Sequence, residues 1–155
     1  KINKRITELE GFRDGKDYDD LFNVEEQIEL IQLYYTIGNL DDMKDEAYNV
    51  SFSFRNNTPK AKMYAQLYLG LVNIAEVTEE NKVKYEAYAL ENLKKAFVNS
   101  ISAGINLKEE SLLSKYSNIE GYEEIVEQYS SPESIFNSFA ANFKSVGTTF
   151  SIPIV

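Results

Sequence analysis

The sequence predicts an all-α protein built from antiparallel helical hairpins, and three observations carry that prediction. Helix-start signals recur along the chain, each a small polar residue followed by an acid or a proline that suits the orphan N–H groups of a first turn. Between these starts, apolar residues return three and four positions apart, the period of one helix face. No convincing alternating strand pattern stands out before the last ten residues.

Ile2, Ile6 and Leu9 predict a helical turn or two, which Gly11 and Gly15 are expected to interrupt. Asn23, ahead of Glu25 and Glu26, opens a helix with Ile28, Ile31 and Tyr35 on one face, and Asn39, ahead of Asp41 and Asp42, opens the next. Thr58 and Pro59 open a stretch, Ala61 to Ala75, that is apolar on nearly every side through Tyr64, Leu67, Tyr68, Leu71, Val72 and Ile74. A helix wet on no face is expected at the centre, packed by neighbours on both sides. Thr78, ahead of Glu79 and Glu80, marks a further start, followed by Tyr85, Tyr88, Ala89, Leu93, Ala96 and Phe97 at helical spacing.

Asn106 ahead of Glu109, Ser117 ahead of Glu120, and Ser131 ahead of Pro132 and Glu133 mark three more starts. They predict a short helix near Leu107 to Tyr116, another from Tyr122 to Tyr129, and a final one from Pro132 to Val146 with Ile135, Phe136, Phe139, Ala140 and Phe143. Gly147 and two threonines lead into Phe150–Val155, which reads as an extended tail because Pro153 fits neither a helix nor a central strand.

Composition narrows the chemistry. A chain of 155 residues fits one domain, and at that size roughly 70% of the unfolded surface is buried on folding. Cysteine and histidine are both absent, which removes disulfides, thiol nucleophiles, the commonest general base and the commonest zinc ligand. The expectation is of a protein that is not an enzyme and carries no cofactor or metal. A formal net charge of -9, with no basic block, disfavours nucleic acid and anionic membranes as partners. No run approaches the ~20 apolar residues of a membrane span. The chain begins at Lys1 rather than Met, so an upstream signal or lipid anchor is expected.

Helices of roughly 12–15 residues joined as antiparallel pairs are the unit of helical repeat arrays. Two stretches match such pairs, about 24–54 and 59–100. In the first, Leu30 and Tyr34 are the large positions, Gly38, Asn39 and Leu40 the turn, and Met43, Ala47 and Val50 the small contact positions. In the second, Leu69 and Gly70 form a Leu-Gly step, and Ala89, Leu93 and Ala96 stand where the second helix meets the first. This pattern resembles the tetratricopeptide repeat in a degenerate form. It departs at Gln27 and Gln66, where the repeat favours tryptophan, at Ile31 in place of its glycine, and in a longer second hairpin loop. An irregular helical bundle would also produce two such pairs.

The resemblance implies a single domain over 1–146, a short right-handed array with capping helices over 107–146, and a separate tail over 147–155. It also implies that the inner faces of the first helices line a groove for a protein partner. Position by position, that groove is Ile28, Gln32, Tyr35 and Thr36 in the first pair, and Tyr64, Leu67, Leu71 and Ile74 in the second. The same residues would equally serve as core beneath the N-terminal segment or the last helix. The Lys, Arg and Asn set with which some family members clamp a C-terminal carboxylate does not stand in that groove.

Other candidates are weighed on their own chemistry. Asp14, Asp17, Asp19 and Asp20 around Gly15 could ligate calcium, but the spacing is not that of an EF-hand and a solvated turn explains them better. The pairs Glu79–Glu80, Glu109–Glu110 and Glu123–Glu124 read as first-turn acids facing the helix dipole. Exposed tyrosines such as Tyr48 and Tyr129 suit contact hot spots. Alternation of Phe150, Ile152 and Ile154 would let the tail add a strand to a partner's sheet, or fold back along the helices.

The expected function is a scaffold or adaptor that binds another protein, whether peptide, helix or domain, through an apolar, tyrosine-rich groove. The alternative is a small-molecule carrier or periplasmic binding component with a pocket lined by Tyr64, Tyr68 and Tyr88. The composition, rich in Lys, Asn, Ile, Tyr and Glu, suggests an AT-rich bacterial genome. Degenerate repeat domains of this size resemble those of bacterial envelope lipoproteins, so the periplasm or cell envelope is the expected address, with the cytoplasm as alternative.

Overall fold

The computed structural model describes residues 1–15, 22–52, 56–129 and 133. Among them are six α-helices and no strand: α1 (Ile2–Asp14), α2 (Val24–Thr36), α3 (Leu40–Phe52), α4 (Pro59–Ala75), α5 (Lys82–Ala103) and α6 (Tyr122–Tyr129). Two 3-10 turns, Leu107–Glu109 and Ser111–Lys115, join α5 to α6. Apart from Glu133, the predicted final helix over 132–146 lies outside the described residues, as do the tail over 147–155 and the carboxylates of Asp17, Asp19 and Asp20.

Several helix starts form as their sequence signals dictate. Asn23 Oδ1 accepts from the backbone N–H groups of Glu25 and Glu26 at 2.9 and 3.2 Å, and Asn39 Oδ1 accepts from Asp42 N at 3.3 Å. Thr58 Oγ1 accepts from Ala61 N at 3.2 Å, with Pro59 in the first turn, where its missing N–H leaves no bond unmade. Gly38 (φ +78°) takes the left-handed conformation that turns the chain from α2 into α3 within three residues.

Other boundaries differ from the sequence reading. α1 runs through Gly11 and ends at Gly15, because Ile6 and Leu9 are buried and their packing outweighs the roughly 1 kcal/mol propensity cost of one glycine. α5 begins at Lys82 rather than after Thr78: Thr78 and Asn81 bond each other reciprocally, Asn81 Oδ1 accepting from Thr78 N at 2.6 Å and Thr78 Oγ1 from Asn81 N at 3.2 Å. Glu79 and Glu80 therefore sit in that turn and not in a helical first turn. The helix expected near Leu107 to Tyr116 is the pair of 3-10 turns. Ser117 caps no helix, since its hydroxyl donates to the Ser114 carbonyl.

The helices pack in chain order. α1 lies on α2, α2 on α3, α3 on α4 and α4 on α5, while α2 also meets α4 and α5 meets α6. With α2, α3 and α5 around it, α4 is the central helix, and its Ala61, Met63, Ala65, Leu67, Leu71 and Val72 are buried. Met43, Ala47 and Val50 on α3 and Ala89, Leu93 and Ala96 on α5 are fully buried.

A polar clasp fastens α1. Arg5 donates to both oxygens of Glu29, at 2.9 and 2.7 Å, a bidentate pair across α1 and α2. Tyr34 donates its hydroxyl to Glu10 Oε2 at 2.5 Å, and Arg13 Nη1 donates to Glu46 Oε1 at 3.2 Å, reaching from α1 to α3. Burial and the Glu10 carboxylate both hold the Tyr34 phenol far above its ordinary range. Glu46 is 1% exposed and its Oε2 has no hydrogen-bond partner.

Candidate functional site

The groove residues expected from the sequence occupy three different environments. Ile28, Leu67 and Leu71 are buried, so as core side chains they present no contact area to a partner. Tyr35, Tyr64 and Ile74 are half-buried against the core, and Gln32 is half-buried as well. Thr36 is exposed, its hydroxyl turned back to the Gln32 carbonyl at 2.8 Å.

What covers this face is the segment that follows α5. Tyr116, fully buried, donates its hydroxyl to the Leu67 carbonyl at 2.5 Å, and Tyr64 reaches Glu110 at 3.5 Å. Tyr35 and Tyr68 meet edge to face with centroids 5.4 Å apart. Burial, with Glu110 nearby, pushes the Tyr68 phenol up to about 12. The set Tyr64, Tyr68 and Tyr88 does not converge: the first two belong to this covered face, and Tyr88 lines a cleft elsewhere.

That cleft is the valley where α3, α4 and α5 meet. Each helix contributes one stripe: Lys44 and Tyr48 from α3; Leu69, Val72 and Asn73 from α4, with Glu76 as its C-cap; Tyr85, Tyr88 and Asn92 from α5. Spacings of three and four put each set on a single helix face. The cleft holds about 230 Å³. Buried Leu69 and Val72 supply its apolar part, whereas Tyr48 and Tyr88 are 53% and 45% exposed.

Its polar groups are ordered by one another. Lys44 Nζ on α3 and Glu76 Oε1 at the C-cap of α4 pair at 2.7 Å, and this bond holds the Lys44 ammonium above its usual range. Asn92 Nδ2 donates to Asn73 Oδ1 at 2.8 Å between α4 and α5, which leaves Asn73 Nδ2 and Asn92 Oδ1 free to bond elsewhere. The rings of Tyr85 and Tyr88 lie 5.7 Å apart, and Lys84 Nζ sits 5.8 Å from the Tyr88 centroid. Aromatic faces beside unspent donors and acceptors suit recognition of a molecule that is itself part apolar and part polar.

Of these residues, the sequence reading singled out Tyr48 as a contact and Tyr88 as a pocket residue, and missed Lys44, Asn73, Glu76, Tyr85 and Asn92. One signal was present: Asn73 interrupts the apolar run from Leu67 to Ile74 and marks a wet line on an otherwise buried helix. The alignment of that line with Asn92 is a tertiary fact.

The fold and the cleft together define an all-helical protein whose helices pack against their chain neighbours, and no described helix is long and apolar enough to cross a membrane. No family model, curated protein or solved structure matches the chain.

Proposed function

We propose that this chain is a non-catalytic interaction domain of tetratricopeptide-like architecture that holds a protein partner, and that the contact surface is the cleft between α3, α4 and α5. The packing order supports the repeat reading: consecutive helices pair, and the first helices of the two hairpins, α2 and α4, also meet, as stacked hairpins require. The inner-face groove expected from the sequence gives way to the cleft, because three of its four aliphatic members, Ile28, Leu67 and Leu71, are core.

The observation that carries the proposal is the pair of half-exposed tyrosines, Tyr48 and Tyr88, on the two helices that flank α4, over a buried apolar floor. Tyrosine is enriched among residues that dominate binding energy, being a rigid amphipathic ring that gains area at small entropic cost. In this cleft, size favours part of a macromolecule over a free small ligand. At about 230 Å³ the cleft falls below the ~300 Å³ at which small-molecule pockets begin, so it fits a few side chains of something larger.

The test is capture from source-cell lysate, followed by calorimetry with the purified partner. The proposal expects one stoichiometric protein whose affinity falls at least about tenfold for Tyr48→Ala with Tyr88→Ala while the melting temperature holds. A partner indifferent to the double variant would overturn the assignment of the surface, and co-purification of a small molecule in its place would overturn the function.

A further inference from the structure

One helix stands outside the hairpin scheme. We infer that α1 is a releasable strap: it undocks from α2 and α3 as a unit, through an opening that leaves the α2–α5 hairpins folded and bares Ile6, Leu9 and the Glu46 carboxylate.

The first observation is direction. Arg5 pairs with Glu29 and Tyr34 with Glu10, 24 positions apart in both cases, so α1 and α2 run parallel. Helices joined by short turns run antiparallel, and α2 with α3 and α4 with α5 complete two hairpins without α1. Removing α1 breaks neither of them.

The second is how α1 is held. Of its 13 residues Ile6 and Leu9 are buried, against nine of the 17 in α4. The rest of the hold among the described residues is polar: the Arg5–Glu29 pair, the Tyr34–Glu10 bond and the Arg13–Glu46 pair. The Arg5 and Glu29 side chains are 36% and 37% exposed, a setting in which an ion pair contributes little. Few buried apolar contacts and solvent-reached polar ones are the marks of a unit that opens below global unfolding.

The third is the charge that docking encloses. Glu46 is buried with Oε2 unpartnered, and burial acts on it more strongly than Arg13 relieves it. Arg13 reaches Glu46 from α1, where the neighbouring Asp14 carboxylate works against the enclosed charge. Undocking returns the carboxylate and the guanidinium to water, which removes a cost that only the closed form carries. Glu46 lies two positions from both Lys44 and Tyr48, on the opposite side of α3 from that pair. The opening therefore leaves the cleft intact, and the inference is independent of what the cleft binds.

The experiment is native-state hydrogen exchange by NMR on the full chain at pH 7, in rising sub-denaturing urea. The α1 amides are expected to exchange as one group, at least about tenfold faster than the slowest amides of α4 and with a weaker urea dependence. Leu93→Val, at the contact of α5 with α4, should speed exchange in α4 by about three- to tenfold and leave α1 unchanged, because that contact persists in the open form. Glu46→Gln should slow α1 by at least about threefold, since docking then encloses no charge. The inference is overturned if α1 exchanges only together with α4 at every urea concentration, or if Leu93→Val speeds both alike. Exchange spreading residue by residue inward from Lys1, with no common urea slope, would show fraying in place of undocking. An α1 that Glu46→Gln leaves unmoved while α4 slows would mean that Glu46 stays enclosed in the open form, against the strap as described.

Discussion

Tyr116 hydrogen-bonds the main chain of α4 at the one place where that helix has no side chain: its hydroxyl lies 2.5 Å from the Leu67 carbonyl, over the bare Cα of Gly70. A Cβ built on Gly70 would stand 2.0 Å from that oxygen and 2.8 Å from the ring carbon bearing it. Gly70→Ala is therefore expected to destabilise the fold by about 1–3 kcal/mol, as overpacking does, although alanine is the better helix former. Tyr116→Phe alone costs roughly 1 kcal/mol for one hydrogen bond. In combination the two changes should cost less than their sum, because the nearest clashing atom is gone; denaturant melts of a double-mutant cycle read this out.

Glu46 makes stability depend on pH. Burial raises its pKa above the ordinary 4.5, and Arg13 opposes that rise without cancelling it. The unfolded chain releases the Glu46 proton at the ordinary value while the folded chain still holds it. The contribution of Glu46 is thus most favourable below about pH 4.5 and declines as pH climbs from there to the folded pKa. Glu46→Gln should raise the melting temperature at pH 7, and the gain should shrink toward zero as the pH falls through the ordinary carboxylate range. Calorimetric scans from about pH 3.5, below the ordinary carboxylate range, up to about pH 7.5 would show it; a gain independent of pH would contradict the account.

Gln27 is buried with Oε1 lacking a hydrogen-bond partner. An unsatisfied buried polar atom costs about 1–3 kcal/mol. Gln27→Met, similar in length and without that atom, is expected to stabilise by roughly 1 kcal/mol in urea denaturation. Loss of stability would mean that the amide is satisfied in solution.

Leu71 and the cleft tyrosines should separate stability from binding. Leu71 is 1% exposed, and Leu71→Ala is expected to cost about 2–5 kcal/mol through lost burial and a residual cavity. Tyr48→Ala and Tyr88→Ala, at half-exposed sites, should each move stability by less than about 1 kcal/mol. Thermal melts beside partner titrations settle the contrast.

Leu93 lies fully buried where α5 meets α4. Leu93→Asp places an unpaired charge there and is expected to abolish cooperative unfolding at pH 7, a loss above about 4 kcal/mol. An unchanged circular dichroism melt would disprove the packing of these two helices.

The one-dimensional order of helices was legible because its causes are local. Asn23, Asn39 and Thr58 each satisfy donors two or three residues away, and Met43, Ala47 and Val50 declare one buried face by spacing alone. The misread boundaries have non-local or reciprocal causes. α1 persists through Gly11 because Ile6 and Leu9 find partners across the fold, and α5 starts late because Asn81 and Thr78 satisfy each other.

By itself, then, the sequence determined an acidic, all-helical chain with a central helix at 59–75 and apolar faces at known positions. Which of those faces stays open was decided only by tertiary structure. Periodicity marks a residue as apolar-facing without saying what arrives to cover it: Tyr116 closes over Leu67 from 49 positions away, while Asn73 and Asn92, 19 apart, meet to form the cleft. Both events depend on helix-to-helix contact, to which local propensity and spacing are blind.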